Sequence, residues 1–415
     1  MKIQSFDKKI STFQVTFYDV SRGKGFLSVV LRCTVHFVDP TSPKDVYHSI
    51  LKIPGLESMK EVHKRNNAKN LEDENENENS EEAAAKLEAA EKNAYATLEE
   101  RHKSETDFFT IFAPILDIPC PKIYKIVDLK YGEKEGVIHM EDLTLRGKTI
   151  THFENINLTQ VKCVIRHLAH MHYKTLIADP KIWRGKFLKN QGTLAKVTGH
   201  MDAMIKKMIE NSKREKDFAP YVEKLSKFYT NKEYAMYSSQ QSYIDLGMAP
   251  VLVHGDMHSG NIMWNIDEDG NIQNEVAAFV DWQIMHEVMF FSSPMSDLAR
   301  FLTHCCDGVV RRQAEIFAID YYHECLTKEF GTIEKVPYTL EQLQKAYNYC
   351  FLFQAFFSIG VIPMLFGALT AEINVNDGIK NAYYAFAVQK SLNLFEDADK
   401  LLKGEMEDIF EKYGT

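Results

Sequence analysis

Cysteine is scarce and scattered in this 415-residue chain: there are seven, an odd number, with Cys305-Cys306 the one adjacent pair. None makes a Cys-x-x-Cys, and none reads as a ligand partner of a nearby histidine. That excludes a disulfide-framed secreted domain and points to a reducing, cytoplasmic setting. The opening Met-Lys-Ile-Gln-Ser-Phe-Asp-Lys-Lys lacks the apolar core of a signal peptide, which agrees with that setting. Positive charge is also short: 49 Lys and Arg against 58 Asp and Glu leave a net −9, which argues against nucleic acid as a partner. Long apolar runs are nearly absent. Residues 351–370 form the longest weakly polar stretch, but Gln354, Ser358, Gly360, Pro363 and Gly367 interrupt it and no basic cluster flanks it. It reads as a buried helix broken near Pro363, with no membrane span.

The hydrophobic content of 45% is ordinary for a globular protein, and the length allows two lobes with a large core. Much of the negative charge is local, since residues 66–93 hold nine acidic residues against three lysines. Within it, 66–79 is a Glu/Asn run with almost nothing to bury, expected to be a disordered insert. From Ser80 the composition turns to Ala, Glu, Lys and Leu, predicting a helix to about Phe112. Alternation and β-branched content predict strands over 12–19, 26–38, 46–53, 122–129 and 137–140. A second helix is expected from about Asn157, capped by Asn157 or Thr159, with Val161, Val164, Ile165, Leu168 and Ala169 as its apolar stripe. His167, His170 and His172 lie on it, but no cysteine or carboxylate is seen to accompany them, so no metal site is expected there. Lys206-Lys207 and residues 213–216 read as solvated helix faces, with attraction to phospholipid or an acidic substrate as the minor alternative. Residues 378–392 and 394–413 read as two terminal helices.

The chemistry concentrates in Val253-His-Gly-Asp-Met-His-Ser-Gly-Asn-Ile-Met-Trp264. Asp256 and Asn261 stand five positions apart behind His254, a spacing that suits phosphoryl transfer: the aspartate takes the proton of an attacking hydroxyl and the asparagine presents its carbonyl to magnesium. A second metal-clamping carboxylate is Asp281, which ends the apolar run in Phe-Val-Asp-Trp-Gln, 25 residues past Asp256.

His-x-Asp-x-x-x-x-Asn followed by that Asp resembles the catalytic half of the protein-kinase-like fold. The Gly after His254, with His258 and Gly260, resembles its small-molecule branch, as in aminoglycoside phosphotransferases. Phe-Val-Asp-Trp-Gln and Ser296-Asp297-Leu298-Ala299-Arg300-Phe301-Leu302 are similar to the ecdysteroid-kinase-like (CHK kinase-like) family, nematode members above all, over nearly the whole chain. The resemblance implies a bilobal α+β fold, with an N-lobe over 1–143 and a C-lobe over 144–415, and an enzyme that moves the γ-phosphoryl group of ATP to a small-molecule hydroxyl. It implies that Gly23, Gly25 and Ser28 cover the ATP phosphates. By the same resemblance Lys52 grips them, and Glu105, matching the family's Glu-x-x-Phe-Tyr helix, pairs with Lys52, with Glu99 and Glu100 as rivals. Met140-Glu141-Asp142-Leu143 resembles the hinge at the adenine edge. Asp256 is then the base, His254 its buttress, Asn261 and Asp281 the Mg²⁺ ligands, and Asp297 a brace below the loop. The alternative is a catalytically silent, nucleotide-binding scaffold. The chain starts barely a strand before the Gly-rich loop, whereas family members carry more N-terminal residues, so a truncated gene model is the expectation to weigh beside it. The acceptor is open between choline-like molecules, held by aromatic and acidic cages, and steroids in an apolar slot.

Overall fold

The computed structural model describes residues 13–20, 28–37, 46–56, 80–184, 191–285, 293–372 and 376–415. Residues 66–79, expected to form a disordered insert, and Gly23 and Gly25, expected in the Gly-rich loop, lie outside them. The chain divides into two compact units, one of Met1–Thr106 with Pro121–Leu145, the other of Asp107–Cys120 with Arg146–Thr415. This is the α+β class the sequence implies: one unit is built on an antiparallel sheet, the other is mainly helical.

The first unit holds β1 (Phe13–Asp19), β2 (Ser28–Phe37), β3 (Val46–Pro54), β4 (Ile123–Val127) and β5 (Val137–Glu141) in the order β1-β2-β3-β5-β4, every pair antiparallel. In β2, Ser-Val-Val-Leu-Arg-Cys-Thr-Val-His-Phe is rich in β-branched residues, which suit a pleated and half-buried surface. The register sets Lys52 between Val30 on β2 and Ile138 on β5, in the middle of the sheet.

The helix after β3 runs over Ser80–Asp107, as expected, but does not stop at Phe112. It passes through a π-helical turn, Phe108–Phe112, into Ala113–Leu116, and ends where Asp117 turns left-handed at φ 51°. Phe108, Phe109, Phe112 and Leu116 are all buried, so the stripe that favours helix continues past the predicted end.

In the second unit a small antiparallel sheet, β6 (Gly147–Thr149), β7 (Ile262–Ile266) and β8 (Ile272–Phe279), flanks the Leu158–Ile177 helix. Of the two cap candidates the structure selects Asn157, in a reciprocal box: Gln160 N–H donates to the Asn157 side chain at 2.9 Å and Asn157 N–H to the Gln160 side chain at 3.0 Å. The predicted apolar stripe is buried throughout.

Two expectations about the C-terminal third are corrected. Leu340–Glu372 is one helix of 33 residues with Pro363 inside it and no break. Its apolar face packs against Ser296–Cys305, Gln191–Ser212 and Asp377–Leu402, and this packing offsets the roughly 3 kcal/mol cost of an interior proline. It is long and apolar enough to cross a membrane, yet more than half of its most apolar stretch is buried inside the protein. Asp377–Leu402 is likewise continuous through Asn393. Ser391, Leu394, Phe395, Ala398 and Leu402 keep the i, i+3, i+4 spacing that buries one face, and Asn393 bonds to Glu396 along the helix at 3.0 Å. The basic helix faces have carboxylates of their own, as with Lys206 and Asp202 at 2.7 Å and Arg214 and Asp217 at 2.6 Å.

Four histidines of the second unit, His152, His172, His254 and His304, are buried, and desolvation lowers each below the ordinary imidazole value, His172 to about 3. A folded pKa below the unfolded one means that the unfolded chain binds more protons. Stability from these groups is therefore complete above pH 6.5 and is lost as pH falls toward the folded values. Urea unfolding should show a level plateau at pH 7–8 and a decline from pH 6.5 to 5, at most about 1.4 kcal/mol per pH unit for each histidine. His172→Asn, which keeps a polar atom facing the Tyr322 hydroxyl, should make that slope shallower; an unchanged slope would remove His172 from the account.

Candidate functional site

The first unit supplies a cation clamp. Lys52 Nζ lies 2.8 Å from Glu105 Oε1 and 2.7 Å from Oε2, with Glu105 2% and Lys52 9% exposed. Glu105 is thus the partner, and the two rivals are placed elsewhere: Glu99 accepts the Tyr131 backbone N–H, and Glu100 is exposed. Ser28 is buried at the start of β2, opposite Pro54. Glu141 is tied into the sheet, its backbone N–H donating to the Lys122 carbonyl at 2.8 Å and its carboxylate accepting the Lys122 N–H at 3.1 Å. The Glu141 N–H is therefore committed within the sheet. Asp142, which the sequence did not single out, fixes this segment. Its carboxylate accepts Arg32 Nε at 2.6 Å and, on the other oxygen, Thr144 N–H at 3.0 Å and the Thr144 hydroxyl at 2.6 Å.

In the second unit the loop from His254 to Asn261 is held from three sides. Gly255 sits at φ 81°, a left-handed conformation that strains any residue with a Cβ. Behind it, Asp297 is fully buried at the head of the Ser296–Cys305 helix and accepts both the His254 N–H at 2.7 Å and the Gly255 N–H at 2.9 Å. This is the brace the resemblance implied. Burial pushes the Asp297 carboxyl above its usual range, against the opposing pull of His254 and the two N–H donors.

His254 is also fully buried. Its Nδ1 accepts the Asp256 N–H at 3.2 Å, so the proton resides on Nε2, which donates to the Val280 carbonyl at 2.9 Å. Desolvation keeps the ring neutral. With both nitrogens engaged in backbone bonds, His254 joins the loop to the end of β8 and has no free proton-transfer position. Its ring lies 4.4 Å from that of Trp282, which stacks on Phe108 at 3.7 Å and 5°.

Asn261 directs its side-chain N–H to the Asp256 carbonyl at 3.0 Å, leaving the amide oxygen as its cation-type donor. The Val280 N–H donates to the Asn261 carbonyl at 3.0 Å, bringing Asp281 to the neighbourhood of Asn261. Asp281 is one of three non-glycine residues at positive φ among the described residues, at φ 66° and ψ 58°. Strain of this kind, of order 1–3 kcal/mol, persists where surrounding structure over-determines a conformation and clusters at functional sites. Asn261 and Asp281 together offer hard oxygen donors, which fit magnesium.

Asp256 has a partner that the motif does not reveal. Arg300, one turn after Asp297 on the same helix, donates Nη2 to Asp256 Oδ1. Its guanidinium lies over the Phe357 ring at 4.8 Å and reaches Gln354 at 3.2 Å. His258 Nε2 stands 3.6 Å from the other Asp256 oxygen. Burial alone would raise this carboxyl, but Arg300 and His258 outweigh it and hold Asp256 well below the usual range. The signal was in the sequence as Asp297-Leu-Ala-Arg300; what was missing was that a residue 44 positions away returns to the loop.

The three histidines of the Leu158–Ile177 helix separate. His172 bonds Tyr322 at 2.8 Å in the core, and His170 bonds Glu329 at 2.9 Å. His167 corrects the expectation that no cysteine or carboxylate accompanies it, because Cys163 and, from β8, Glu275 converge on it. Cys163 and His167 stand four positions apart on one helix, a spacing legible in the sequence; what no local spacing shows is that β8 brings Glu275, 112 positions after Cys163, to the same face.

Two curated relatives come from Caenorhabditis elegans. "Uncharacterized oxidoreductase dhs-27" is 24% identical over 361 residues, 86% of this chain and 40% of that protein. "Uncharacterized kinase-like protein D1044.1" is 26% identical over 257 residues, 60% of this chain and 62% of that protein. The chain therefore spans less than two thirds of either. Among solved structures, the GDP complex of wild-type aminoglycoside 2′-phosphotransferase-IIIa is 10% identical at a TM-score of 0.45, covering 94% of both chains. An amicoumacin kinase in complex with AMP-PNP, Ca²⁺ and its ligand is 12% identical at a TM-score of 0.38, covering 92% of this chain and 88% of that one. Likenesses this loose assign nothing to this chain. The family model DUF1679, described as "Uncharacterized oxidoreductase dhs-27", matches residues 7–405, and the chain belongs to that family.

Proposed function

We propose that the chain is an ATP-dependent small-molecule kinase that transfers the γ-phosphoryl group to a hydroxyl of a small metabolite, steroid or xenobiotic, related to the ecdysteroid-kinase-like proteins. The observation that carries this reading is the braced loop: Asp256 and Asn261 on a backbone pinned by Asp297, tied to the strained Asp281 through His254 and Val280. Asp256 accepts the acceptor hydroxyl and orients it. With its pKa held low by Arg300 it is a weak base, which suits a transfer in which the hydroxyl proton leaves late and positioning supplies most of the effect. Lys52, fixed by Glu105, grips the α/β phosphates, and Gly23, Gly25 and Ser28 cover them. Backbone groups after Glu141, next to the pinned Asp142, face the adenine edge. Asn261 and Asp281 would hold Mg²⁺, which when bound neutralises charge on the phosphate oxygens. The seven cysteines, all unpaired, fit a cytoplasmic setting, and the acidic balance fits a partner other than nucleic acid.

The oxidoreductase in the relative's name has little support in this chain. More than half of that protein lies outside the match, and among the described residues every strand pair is antiparallel, without the parallel βαβ unit of a dinucleotide fold. The assignment is tested by incubating the protein with Mg-ATP labelled at the γ-phosphate and a nematode metabolite extract. Transfer of label to a small molecule is the expected result. Binding of Mg-ATP without any transfer would replace the kinase by the nucleotide-binding scaffold. In the same preparation Asp281→Ala should abolish the extra thermal stabilisation of Mg-ATP over ATP alone, since that increment is the metal's share of native-state binding. An unchanged increment would move the metal role elsewhere.

A further inference from the structure

Cys163 and His167 are one helical turn apart on the Leu158–Ile177 helix and so share a face. β8 packs along that face and delivers Glu275. A ligand atom of each of the three, sulfur, ring nitrogen and carboxylate oxygen, lies within 4.8 Å of the other two. The thiol donates to Glu275 Oε2 at 3.2 Å, and Arg166 Nη2 holds the same carboxylate at 2.9 and 3.1 Å. We propose that Cys163, His167 and Glu275 form a three-donor site for a zinc-class divalent cation, distinct from the oxygen donors Asn261 and Asp281 and independent of the phosphotransfer reading.

The donor chemistry selects the ion. Thiolate, imidazole and carboxylate together suit zinc, which takes three protein ligands and keeps a fourth position for water, whereas magnesium and calcium take oxygen alone. Tetrahedral zinc with bonds of about 2.0–2.3 Å sets its ligand atoms roughly 3.3–3.7 Å apart. The sulfur–oxygen distance, 3.2 Å, lies just under that range, and every pair of the three donor atoms is within 4.8 Å. Cys163 is fully buried while the Glu275 side chain is 60% exposed, so the ion reaches the thiol from solvent past the carboxylate. Arg166 is the outer partner that orients Glu275, the usual arrangement around a ligating carboxylate. A dication with a thiolate and a carboxylate is neutral, so the only formal charge left at the site is that of Arg166.

Binding breaks the Cys163 S–H bond, forms a sulfur–metal bond and releases one proton to solvent. Burial pushes the thiol up to about 11 and the His167 ring down to about 4, so at neutral pH the cysteine carries its proton and the histidine does not. The charged and titratable neighbours are Arg166 and His170 on the same helix, with Tyr321 and Cys325 reaching Arg166 from Ala318–Phe330.

The test is titration of the chelator-treated full chain with Co²⁺ as a spectroscopic stand-in for Zn²⁺. One equivalent should produce a near-UV thiolate-to-cobalt charge-transfer band with four-coordinate visible bands, displaced by Zn²⁺. About one proton should be released per ion, and affinity should rise about tenfold per pH unit between pH 6 and 8. Cys163→Ser should abolish the charge-transfer band. Glu275→Gln, a change at an exposed side chain, should weaken binding at least about tenfold without loss of fold. Cys325→Ser should leave the band intact. No charge-transfer band in the wild type, a band that survives Cys163→Ser, or affinity unchanged in Glu275→Gln would overturn the site.

Discussion

Asp256→Asn is expected to lower phosphoryl transfer by roughly two to four orders of magnitude, the range that a positioned acid–base group contributes. The substitution is conservative where structure is concerned. The backbone of the loop is held by Asp297, His254 and Asn261, none of which bonds the Asp256 carboxylate, and the amide oxygen still accepts from Arg300. Nucleotide binding should persist, because the proposed phosphate contacts are Lys52, the Gly-rich segment and the metal. The measurement is initial rate of label transfer from ATP to the extract component that the wild type phosphorylates, with nucleotide-dependent thermal shift in parallel. A variant that binds Mg-ATP and turns over at the wild-type rate would show that Asp256 does not orient the acceptor. A variant that loses both turnover and nucleotide binding would show that the loop had changed shape and that the substitution was not the local one intended.

Lys52→Met should destabilise the first unit by about 3–5 kcal/mol, the cost of leaving one member of a buried ion pair without its partner. Glu105 is 2% exposed, so its carboxylate cannot recover by turning to water. Met matches the lysine stem in length and packing and removes only the ammonium. The double variant Lys52→Met/Glu105→Leu should recover most of that stability, since replacing a buried pair with apolar groups is close to neutral. Chemical denaturation of the four proteins of this cycle measures the coupling directly. If Lys52→Met unfolds at the wild-type midpoint, the clamp contributes nothing to the native state. The cycle also protects a functional conclusion: loss of activity in Lys52→Met reports the phosphate grip only if the double variant, stable again, remains inactive.

The sequence was most legible where one stretch of chain carries the whole signal. Asn157 and Gln160 cap their helix three residues apart, and the buried stripe that follows repeats at helical spacing, so helix and inner face could be read together. The loop is similar. Asp256, Asn261 and Asp281 stand on two short segments whose order and spacing suggested the proposed chemistry, and β7 and β8 bring those segments side by side. Reading failed where propensity was taken as decisive. Pro363 and Asn393 both suggested helix ends, and both lie inside continuous helices because burial of the remaining face outweighs a single unfavourable residue.

What the sequence by itself determined is the set of chemical groups and their local geometry: a base-type carboxylate, two oxygen donors, a lysine within an apolar strand, and the periodicities that make strands and helices. Only the tertiary structure decided which groups face one another. It selected Glu105 over Glu99 and Glu100, set Arg300 against Asp256, pinned Asp142 with Arg32, and drew Glu275 to Cys163 and His167. The reason is range. Hydrogen bonding and side-chain spacing within one turn or one strand are set by neighbours along the chain. The partner of a buried charge is set by the packing of elements distant in sequence, where desolvation makes an unpaired group too costly to leave and the fold alone determines which opposite group lies within reach.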